Sequence, residues 1–235
     1  MRHFGIIGYP LEHSFSARYF TEKFARERVS ADYQLYPLTD IRDVQKVTMP
    51  LEGYNVTLPY KQAIIPFLTE MDATAQEIGA VNVVRGTKGY NTDWIGFVNS
   101  LRPLLNNTDT QALVLGTGGV SKAVQYGLRQ MNIDYLLVSR QEQSGGITYS
   151  NINKVLLETH TIIINCTPLG MYPHVDTCPD LPYDAIGEQH ILFDCVYNPE
   201  QTLFLQRGKQ QGARIKNGLE MLHLQAEAAW EIWNK

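Results

Sequence analysis

Short apolar runs alternate with amphipathic stretches along the first part of the chain. Residues 3–8, HFGIIG, are mostly apolar and end at a Gly-Tyr-Pro turn, which predicts a buried strand. Residues 13–27 place apolar side chains at helical spacing and predict an amphipathic helix. A second strand is expected at 31–38 and a short helix at 41–49. This alternation indicates an α/β domain.

The following segment predicts a strand, a helix and a hairpin before helical spacing returns. The strand candidate at 53–57 runs into a proline, which suits the first turn of a helix because its missing N–H is not needed there. We therefore expect a helix at 59–70. Residues 80–85 and the segment around Tyr90 predict a hairpin, and the next helix is expected at 93–105.

The pattern of polar and apolar residues changes after residue 105. A polar stretch at 106–110 precedes a fully apolar strand candidate that stops at a run of glycines. Further strand candidates at 135–138, 161–165 and 191–196 alternate with helical or irregular segments. This pattern is typical of a doubly wound parallel sheet.

Two α/β domains follow from this order. The first is expected at 1–105, completed by the C-terminal segment 219–235, whose amphipathic helix should return to pack on it. The second is expected at 106–218. With 44% hydrophobic and 19% charged residues, the chain has enough apolar material for a proper core.

Composition and charge argue against several classes of protein. The three cysteines form no C-x-x-C pair, so neither a disulfide framework nor a cysteine zinc site is expected, and a reducing cytoplasm fits best. The opening residues do not predict a signal peptide, and no run of ~18 apolar residues could span a bilayer. A net charge of −4 without a basic cluster argues against nucleic-acid binding. The histidines lack metal-ligand spacing, so no metal is expected.

The glycine-rich segment LVLGTGGVSKA lies between a predicted strand and a predicted helix. Glycines let a backbone approach the pyrophosphate of a dinucleotide, and the helix N-terminus supplies N–H groups to it. Ser121 stands where the third glycine of G-x-G-x-x-G would be. On this motif alone, both a dinucleotide loop and an ordinary glycine turn remain open.

The strand YLLVSR ends in Ser139 and Arg140, where NAD-specific folds commonly place an acid. A hydroxyl followed by a guanidinium instead suits the 2′-phosphate of NADP, because arginine offers a planar set of donors to an oxyanion. An exposed surface arginine is the alternative.

Candidate polar residues of the first domain lie at predicted element ends. Ser14 and Ser16 begin a predicted helix and could either cap it or bind a carboxylate. Lys61 falls in the first turn of the predicted 59–70 helix, where the helix dipole opposes a cation, and this unfavourable choice hints at function. Asp93 could pair with such a lysine. His13 and His223 are interpreted as structural.

Together these segments resemble the shikimate dehydrogenase family almost from end to end. The motifs, in chain order, read HSFS, GYNVTLPYK, AVN, GYNTDWIGF, LGTGGVSKA, SR, NCTPLGM, FDCVYNP and NGLEMLHLQA. The resemblance implies an α/β fold with two domains, an N-terminal substrate domain with a mixed sheet and a Rossmann-like doubly wound NADP-binding domain. It also implies NADPH-dependent reduction of 3-dehydroshikimate to shikimate in aromatic amino-acid (chorismate) biosynthesis, by a monomer or homodimer.

The family pattern assigns roles to individual positions of this chain. It implies that Ser14, Ser16 and Tyr197 hold the substrate carboxylate, and that Lys61 and Asp93 are catalytic. The residues implied to surround the ring hydroxyls and the reacting oxygen are Thr57, Lys61, Asn82, Asp93 and Gln225. The residues implied to bind the cofactor are Gly116, Gly118, Gly119, Val120, Ser139, Arg140, Thr167, Gly218 and Met221.

Departures from the family pattern leave two alternatives open. The stretch 141–147 is abbreviated, and Gln141 and Glu142 follow Arg140 where a second basic residue often stands. Tyr9 and Val83 also differ from the common residues. The substrate choice therefore stays open, and a quinate/shikimate dehydrogenase is one alternative function. A non-catalytic metabolite-binding homologue is the alternative from another class, against which Lys61 and Asp93 argue.

Overall fold

The computed structural model describes residues 1–11, 14–142 and 145–235. The chain divides into two compact units. The first consists of Met1–Thr92 together with Ala226–Lys235, and the second is Asp93–Gln225. None of the helices within the described residues is long and apolar enough for a bilayer crossing.

The first unit is built on a six-stranded mixed sheet, as expected. Its elements are β1 (Arg2–Gly8), α1 (Phe15–Glu27), β2 (Ala31–Pro37), α2 (Val44–Thr48), β3 (Gly53–Val56), β4 (Glu70–Met71), α3 (Ala73–Ile78), β5 (Val83–Arg85) and β6 (Lys88–Tyr90). The strand order is β2-β1-β3-β5-β6-β4. Strand β1 is parallel to β2 and β3, whereas β5 is antiparallel to β3 and to β6, with which it forms the predicted hairpin.

The C-terminal helix completes the core of the first unit. Helix α8 spans Leu219–Trp233, as predicted, and its residues from Ala226 onward belong to this unit. The Trp233 ring stacks on Phe4 with the ring centroids 4.8 Å apart, and the Trp233 indole N–H donates to the Val84 carbonyl at 3.0 Å. Fully buried Phe20 stacks on Tyr33 beside them. From Ala226 onward the helix thus packs on the first unit, and the assignment of the whole segment 219–235 to the first domain stays a prediction.

The predicted helix at 59–70 is wrong. Residues 58–64 form hydrogen-bonded turns, followed by a 3-10 helix at Ile65–Phe67 and by β4. The Lys61 carbonyl accepts from the Val81 N–H at 2.7 Å rather than from an N–H further along a helix. Pro66 has no N–H to donate and would break a helix at this point. The helix-dipole argument for Lys61 therefore has no basis.

The second unit is a doubly wound parallel sheet, as predicted. Its elements are α4 (Asp93–Leu101), β7 (Gln111–Leu115), α5 (Gly119–Gln130), β8 (Asp134–Ser139), β9 (Gly146–Thr148), α6 (Lys154–Thr159), β10 (Ile162–Asn165), β11 (Ile191–Asp194), α7 (Leu203–Gln210) and β12 (Arg214–Lys216). All pairs are parallel in the order β12-β11-β10-β7-β8-β9. This is the 3-2-1-4-5-6 strand order of dinucleotide-binding folds.

Helix α4 packs within the second unit rather than the first. A Cβ placed on Gly127 of α5 would lie 2.8 Å from the Phe97 ring of α4, so the two helices are in close contact. Phe97 and Met221 of α8 belong to one buried cluster with the sheet. The division by packing therefore falls before residue 93, whereas the domain bounds predicted from the sequence, 1–105 with 219–235 and 106–218, stay a prediction about functional organisation.

Candidate functional site

The glycine loop follows β7 and leads directly into α5. Gly116 has φ +103°, in the left-handed region that side-chain-bearing residues rarely adopt. Gly118 is the N-cap of α5, and Gly119 and Val120 begin the helix. The first N–H groups of a helix have no partner within it, and the helix dipole favours an anion there. The loop therefore has the backbone geometry that a pyrophosphate requires.

The loop lies at the point where the strand order of the second unit reverses. The neighbours β7 and β10 lie on either side of that point, and ligands of such sheets bind there, beyond the carboxyl ends of the strands. A Cβ on Gly116 would lie 3.0 Å from the Thr167 methyl carbon, which follows β10. The Gly218 N–H donates to the Val196 carbonyl, which follows β11, at 3.1 Å. Residues expected to bind the cofactor are thus collected at one edge of the sheet.

The end of β8 carries Ser139 and Arg140. Ser139 is nearly buried, and its hydroxyl donates to the backbone carbonyl of Gln141 within the same turn. Arg140 and Glu142 are both exposed. Burial raises the pKa of Tyr149, and the Arg140 guanidinium acts on that pKa in the opposite direction. Residues 143 and 144, at the centre of the abbreviated stretch, lie outside the described residues.

Two cysteines lie side by side at the same edge of the sheet. The sulfur atoms of Cys166, after β10, and Cys195, after β11, are 3.8 Å apart. The hydrogen bond with Cys166, together with burial, raises the pKa of the Cys195 thiol well above its ordinary value. A thiol in this setting is a poor nucleophile because its thiolate is disfavoured. Among the described residues, no group of three or more His, Cys, Asp or Glu side chains could hold a metal ion.

A buried hydrogen-bond chain runs through the first unit from Ser16. Ser16 shares a hydrogen bond with the Tyr33 hydroxyl, which donates to the Asn55 side-chain oxygen at 2.7 Å. The Asn55 amide donates in turn to the backbone carbonyl of Asn82 at 3.3 Å. Tyr33 and Asn55 were not among the residues expected at the site. The polar Asn55 inside the buried strand β3 was the available signal.

Ser14 is the N-cap of α1, with extended backbone angles, but its side chain makes no capping hydrogen bond. The capping interpretation of this hydroxyl is therefore wrong. The neighbouring His13 of the HSFS motif lies outside the described residues, so its expected structural role stays a prediction.

Three further candidates of the first unit meet where β3 and β5 adjoin. The Thr57 N–H donates to the Ile7 carbonyl at 3.0 Å, which fixes the residue that follows β3. Asn82 is buried just before β5, and its carbonyl accepts from the Val56 N–H at 2.9 Å. The Val81 N–H donates to the Lys61 carbonyl. Because Val81 directly precedes Asn82, this hydrogen bond holds the Lys61 backbone beside Asn82.

The remaining substrate candidates belong to the second unit. Asp93 begins α4 and is 5% exposed, and Gln225 lies in α8 and is 7% exposed. The Gln225 amide donates to the Leu222 carbonyl at 2.9 Å. Tyr197 follows β11 and is exposed.

A parallel sheet in this strand order, with a glycine loop at its reversal point, defines a Rossmann-type dinucleotide-binding protein. Comparison with known proteins points to one family within this class. A family model described as the shikimate dehydrogenase substrate binding domain matches residues 6–84. Shikimate dehydrogenase (NADP(+)) of Methanosphaera stadtmanae is 35% identical, with 97% of this chain and 90% of that protein covered.

Solved structures agree with this match. Shikimate dehydrogenase from Aquifex aeolicus has a TM-score of 0.89 at 31% identity, covering 100% of this chain and 92% of that one. The Thermus thermophilus enzyme, in complex with NADP(H) and shikimate, has a TM-score of 0.88 at 27% identity, covering 99% and 93%. The chain belongs to the shikimate dehydrogenase family.

Proposed function

We propose that the protein reduces the ketone of 3-dehydroshikimate to the alcohol of shikimate with NADPH, as a step of chorismate and aromatic amino-acid biosynthesis. The observation that carries this proposal is the end-to-end match to enzymes named shikimate dehydrogenase (NADP(+)) at 35% identity. The doubly wound sheet with its glycine loop supports it independently. A cytoplasmic location, and a monomeric or homodimeric state, remain expectations.

The cofactor would be held by the second unit. The N–H groups of Gly119 and Val120 suit the pyrophosphate, and Gly116 supplies the left-handed backbone, with φ +103°, that turns the loop into α5. Gly118, Thr167, Gly218 and Met221 would complete the binding site along the carboxyl edge of the sheet. The bound NADPH supplies the hydride that the reduction needs.

Arg140 and Ser139 would decide the choice between NADP and NAD. An exposed guanidinium after β8 can donate to a 2′-phosphate, and the chain has no acid at Ser139 to favour the ribose hydroxyls of NAD. Glu142 follows two residues later and would repel a phosphate if it turned towards it. A preference for NADP with some use of NAD is therefore proposed.

The substrate carboxylate would bind the hydroxyls of Ser14 and Ser16, with Tyr197 as a third donor. Ser14 makes no capping bond, so its hydroxyl does not serve the helix. Thr57, Asn82 and Gln225 would hydrogen-bond the ring hydroxyls, and this set orients the ketone carbon for the hydride.

Lys61 and Asp93 would manage the proton. Arrival of a hydride turns the neutral carbonyl oxygen into an oxyanion, so a cationic donor stabilises the transition state more than the ground state. Lys61 would donate this bond and then its proton, giving the alcohol. The Asp93 carboxylate would hold the ammonium in position and favour its charged form. Turnover then restores the proton of Lys61 from solvent.

A steady-state assay of NADPH oxidation with 3-dehydroshikimate tests the proposal. Oxidation of shikimate with NADP+ in the reverse direction, and little reaction with quinate, would distinguish a shikimate enzyme from a quinate/shikimate dehydrogenase. A purified protein that bound both ligands but consumed no NADPH would instead be the non-catalytic homologue.

A further inference from the structure

A buried carboxylate lies at the carboxyl edge of the sheet in the second unit. Asp194, the last residue of β11, is fully buried. One of its oxygens accepts from the Asn165 amide at 3.0 Å and from the Val196 N–H at 3.0 Å, and the other accepts from the Thr202 hydroxyl. None of these partners is a cation. Burial of an anion without a cation carries a desolvation cost that these three hydrogen bonds offset only in part.

The bonds of Asp194 continue to Thr167 through Asn165. The Asn165 side-chain oxygen accepts both from the Thr167 N–H at 3.0 Å and from the Thr167 hydroxyl at 2.6 Å. Because Asp194 takes the amide end of Asn165, the oxygen end must face Thr167. The orientation of this buried amide is therefore set by the carboxylate.

The rotamer of Thr167 follows from these bonds. Its hydroxyl points to Asn165, so its methyl group faces the glycine loop, 3.0 Å from the position of a Cβ on Gly116. The hydroxyl also accepts from the Leu169 N–H at 3.3 Å. Thr167 therefore offers the loop an apolar surface of fixed shape rather than a hydrogen-bonding group.

The same carboxylate fixes the segment after β11. Its bond to the Val196 N–H holds the turn that leads to Tyr197, and its bond to Thr202 holds the N-cap of α7. One side chain thus connects the turns after two neighbouring strands. Charge-assisted bonds are roughly twice as strong as neutral ones, which favours a carboxylate over an amide in this place.

We propose that Asp194 is a positioning residue for dinucleotide binding, which acts through Asn165 to hold Thr167 against the glycine loop. This inference rests on the proposed NADP-dependent function. It assigns Asp194 no contact with cofactor or substrate. It gives a functional reason for a buried carboxylate whose hydrogen-bond partners include no cation.

The chain offers a matched control at the opposite edge of the same sheet. Asp109 is also buried and accepts from the Thr161 hydroxyl at 2.9 Å and from the Asn106 N–H at 2.9 Å. It precedes β7, at the amino ends of the strands, and pairs with Arg214. Asp109→Asn therefore removes a comparable buried carboxylate whose partners named here do not include Asn165 or Thr167.

Calorimetric titration with NADP+ at neutral pH provides the first test. Asp194→Asn should raise the dissociation constant about tenfold, the effect of losing one charge-assisted bond, while Asp109→Asn should leave it within about twofold of wild type. Failure of the wild-type protein to bind NADP+ would contradict the proposed function itself. Wild-type binding with an unchanged dissociation constant in Asp194→Asn would overturn the inference alone.

The pH dependence of NADP+ affinity tests the same inference in variants that keep the carboxylate. Burial raises the pKa of Asp194 to about 6, and the Thr202 hydrogen bond acts to lower it. The neighbouring Tyr183 and Cys195 have raised pKa values and stay uncharged in this range. Protonation of Asp194 removes the charge that strengthens its bonds to Asn165 and Val196, so affinity should fall as the pH drops through about 6.

Thr202→Val should shift the midpoint of this fall to higher pH, because the bond that lowers the pKa of Asp194 is lost. The 2′-phosphate of NADP also titrates near this pH, but equally in both proteins. If Asp194→Asn did not fold, the comparison of Thr202→Val with wild type would decide alone. A raised midpoint of the pH-dependent fall in NADP+ affinity supports the inference, and an unchanged midpoint overturns it.

Discussion

Thr92 holds the side-chain amide of Asn82 at both ends. The Asn82 oxygen accepts from the Thr92 N–H at 2.7 Å, and the Asn82 nitrogen donates to the Thr92 hydroxyl at 3.0 Å. Both residues are buried. Thr92, immediately before α4, therefore sets the orientation of Asn82, a residue proposed to bind the substrate. The Asn82 amide cannot rotate without losing both bonds.

Thr92→Val should weaken shikimate binding. Valine keeps the shape and the N–H but removes the hydroxyl, so one bond that orients Asn82, worth ~1 kcal/mol, is lost. We expect the Michaelis constant for shikimate to rise roughly fivefold, in line with that energy, while that for NADP stays unchanged. Ser100→Ala is the control, because the buried Ser100 hydroxyl donates to the Phe97 carbonyl within α4. Equal Michaelis constants in Thr92→Val and wild type would refute the orienting role.

Ser14→Ala should weaken shikimate binding without loss of fold stability. The Ser14 side chain makes no capping bond, so thermal unfolding should be unchanged. Asp72→Ala is the matched control in the same unit, because the Asp72 side chain caps α3 by accepting from the Thr74 N–H at 3.0 Å. A lost cap costs ~1 kcal/mol, so that variant should melt earlier with unchanged shikimate affinity. The reverse pattern would show that Ser14 serves the fold.

Much of the fold could be predicted from hydrophobic patterning. The parallel strands of the second unit are continuous apolar runs because both faces of that sheet are covered, and α8 has a clear amphipathic stripe. The edge strands β9 and β12 have three residues each, too few for any periodicity to show. The helix predicted at 59–70 does not form because Pro66 interrupts it, although Pro59 suits a helix start.

The candidate site was predicted from motif order rather than from local pattern. Glycines and polar residues at strand ends carry a recognisable chemistry, so Gly116 and Thr167 could be selected, and the structure brings them together. Tyr33, Asn165 and Asp194 could not be selected, because their roles depend on hydrogen bonds between segments distant in sequence. Such pairings follow from sheet register, which is not readable from one chain.

Arg140→Ala should impair the use of NADP far more than that of NAD. Only NADP has the 2′-phosphate, and its charge-assisted contact is worth ~1.5–3 kcal/mol. The Michaelis constant for NADP should therefore rise by roughly 10- to 100-fold, with little change for NAD. Lys154→Ala, which removes another exposed cation from the same unit, should change neither. Equal effects of Arg140→Ala on both cofactors would refute the assignment.

Asp194 should also leave a signature in the pH dependence of stability. Its pKa is about 6 in the folded protein and 3.8 in the unfolded chain. Because the folded value is higher, the buried charge lowers the free energy of unfolding progressively between these values, by ~3 kcal/mol in total. Asp194→Asn removes this pH-dependent loss of stability. The hydrogen bonds that the variant lacks change its free energy of unfolding by an amount that does not depend on pH.

The difference in unfolding free energy, variant minus wild type, should therefore increase by ~3 kcal/mol between about pH 3 and pH 7. Urea unfolding at a series of pH values measures it. A difference that stayed constant with pH would show that Asp194 titrates normally.

The turnover of Lys61→Ala with 3-dehydroshikimate and NADPH tests the central claim most directly. Wild-type protein should oxidise NADPH only when 3-dehydroshikimate is present, and Lys61→Ala should lower turnover by roughly 10²–10⁴-fold with a much smaller change in the Michaelis constant. Asp93→Asn should be severely impaired, and the double variant little worse than Lys61→Ala. Lys88→Ala, which breaks an exposed ion pair with Glu70, should keep normal turnover. Near-normal turnover in Lys61→Ala would contradict the account.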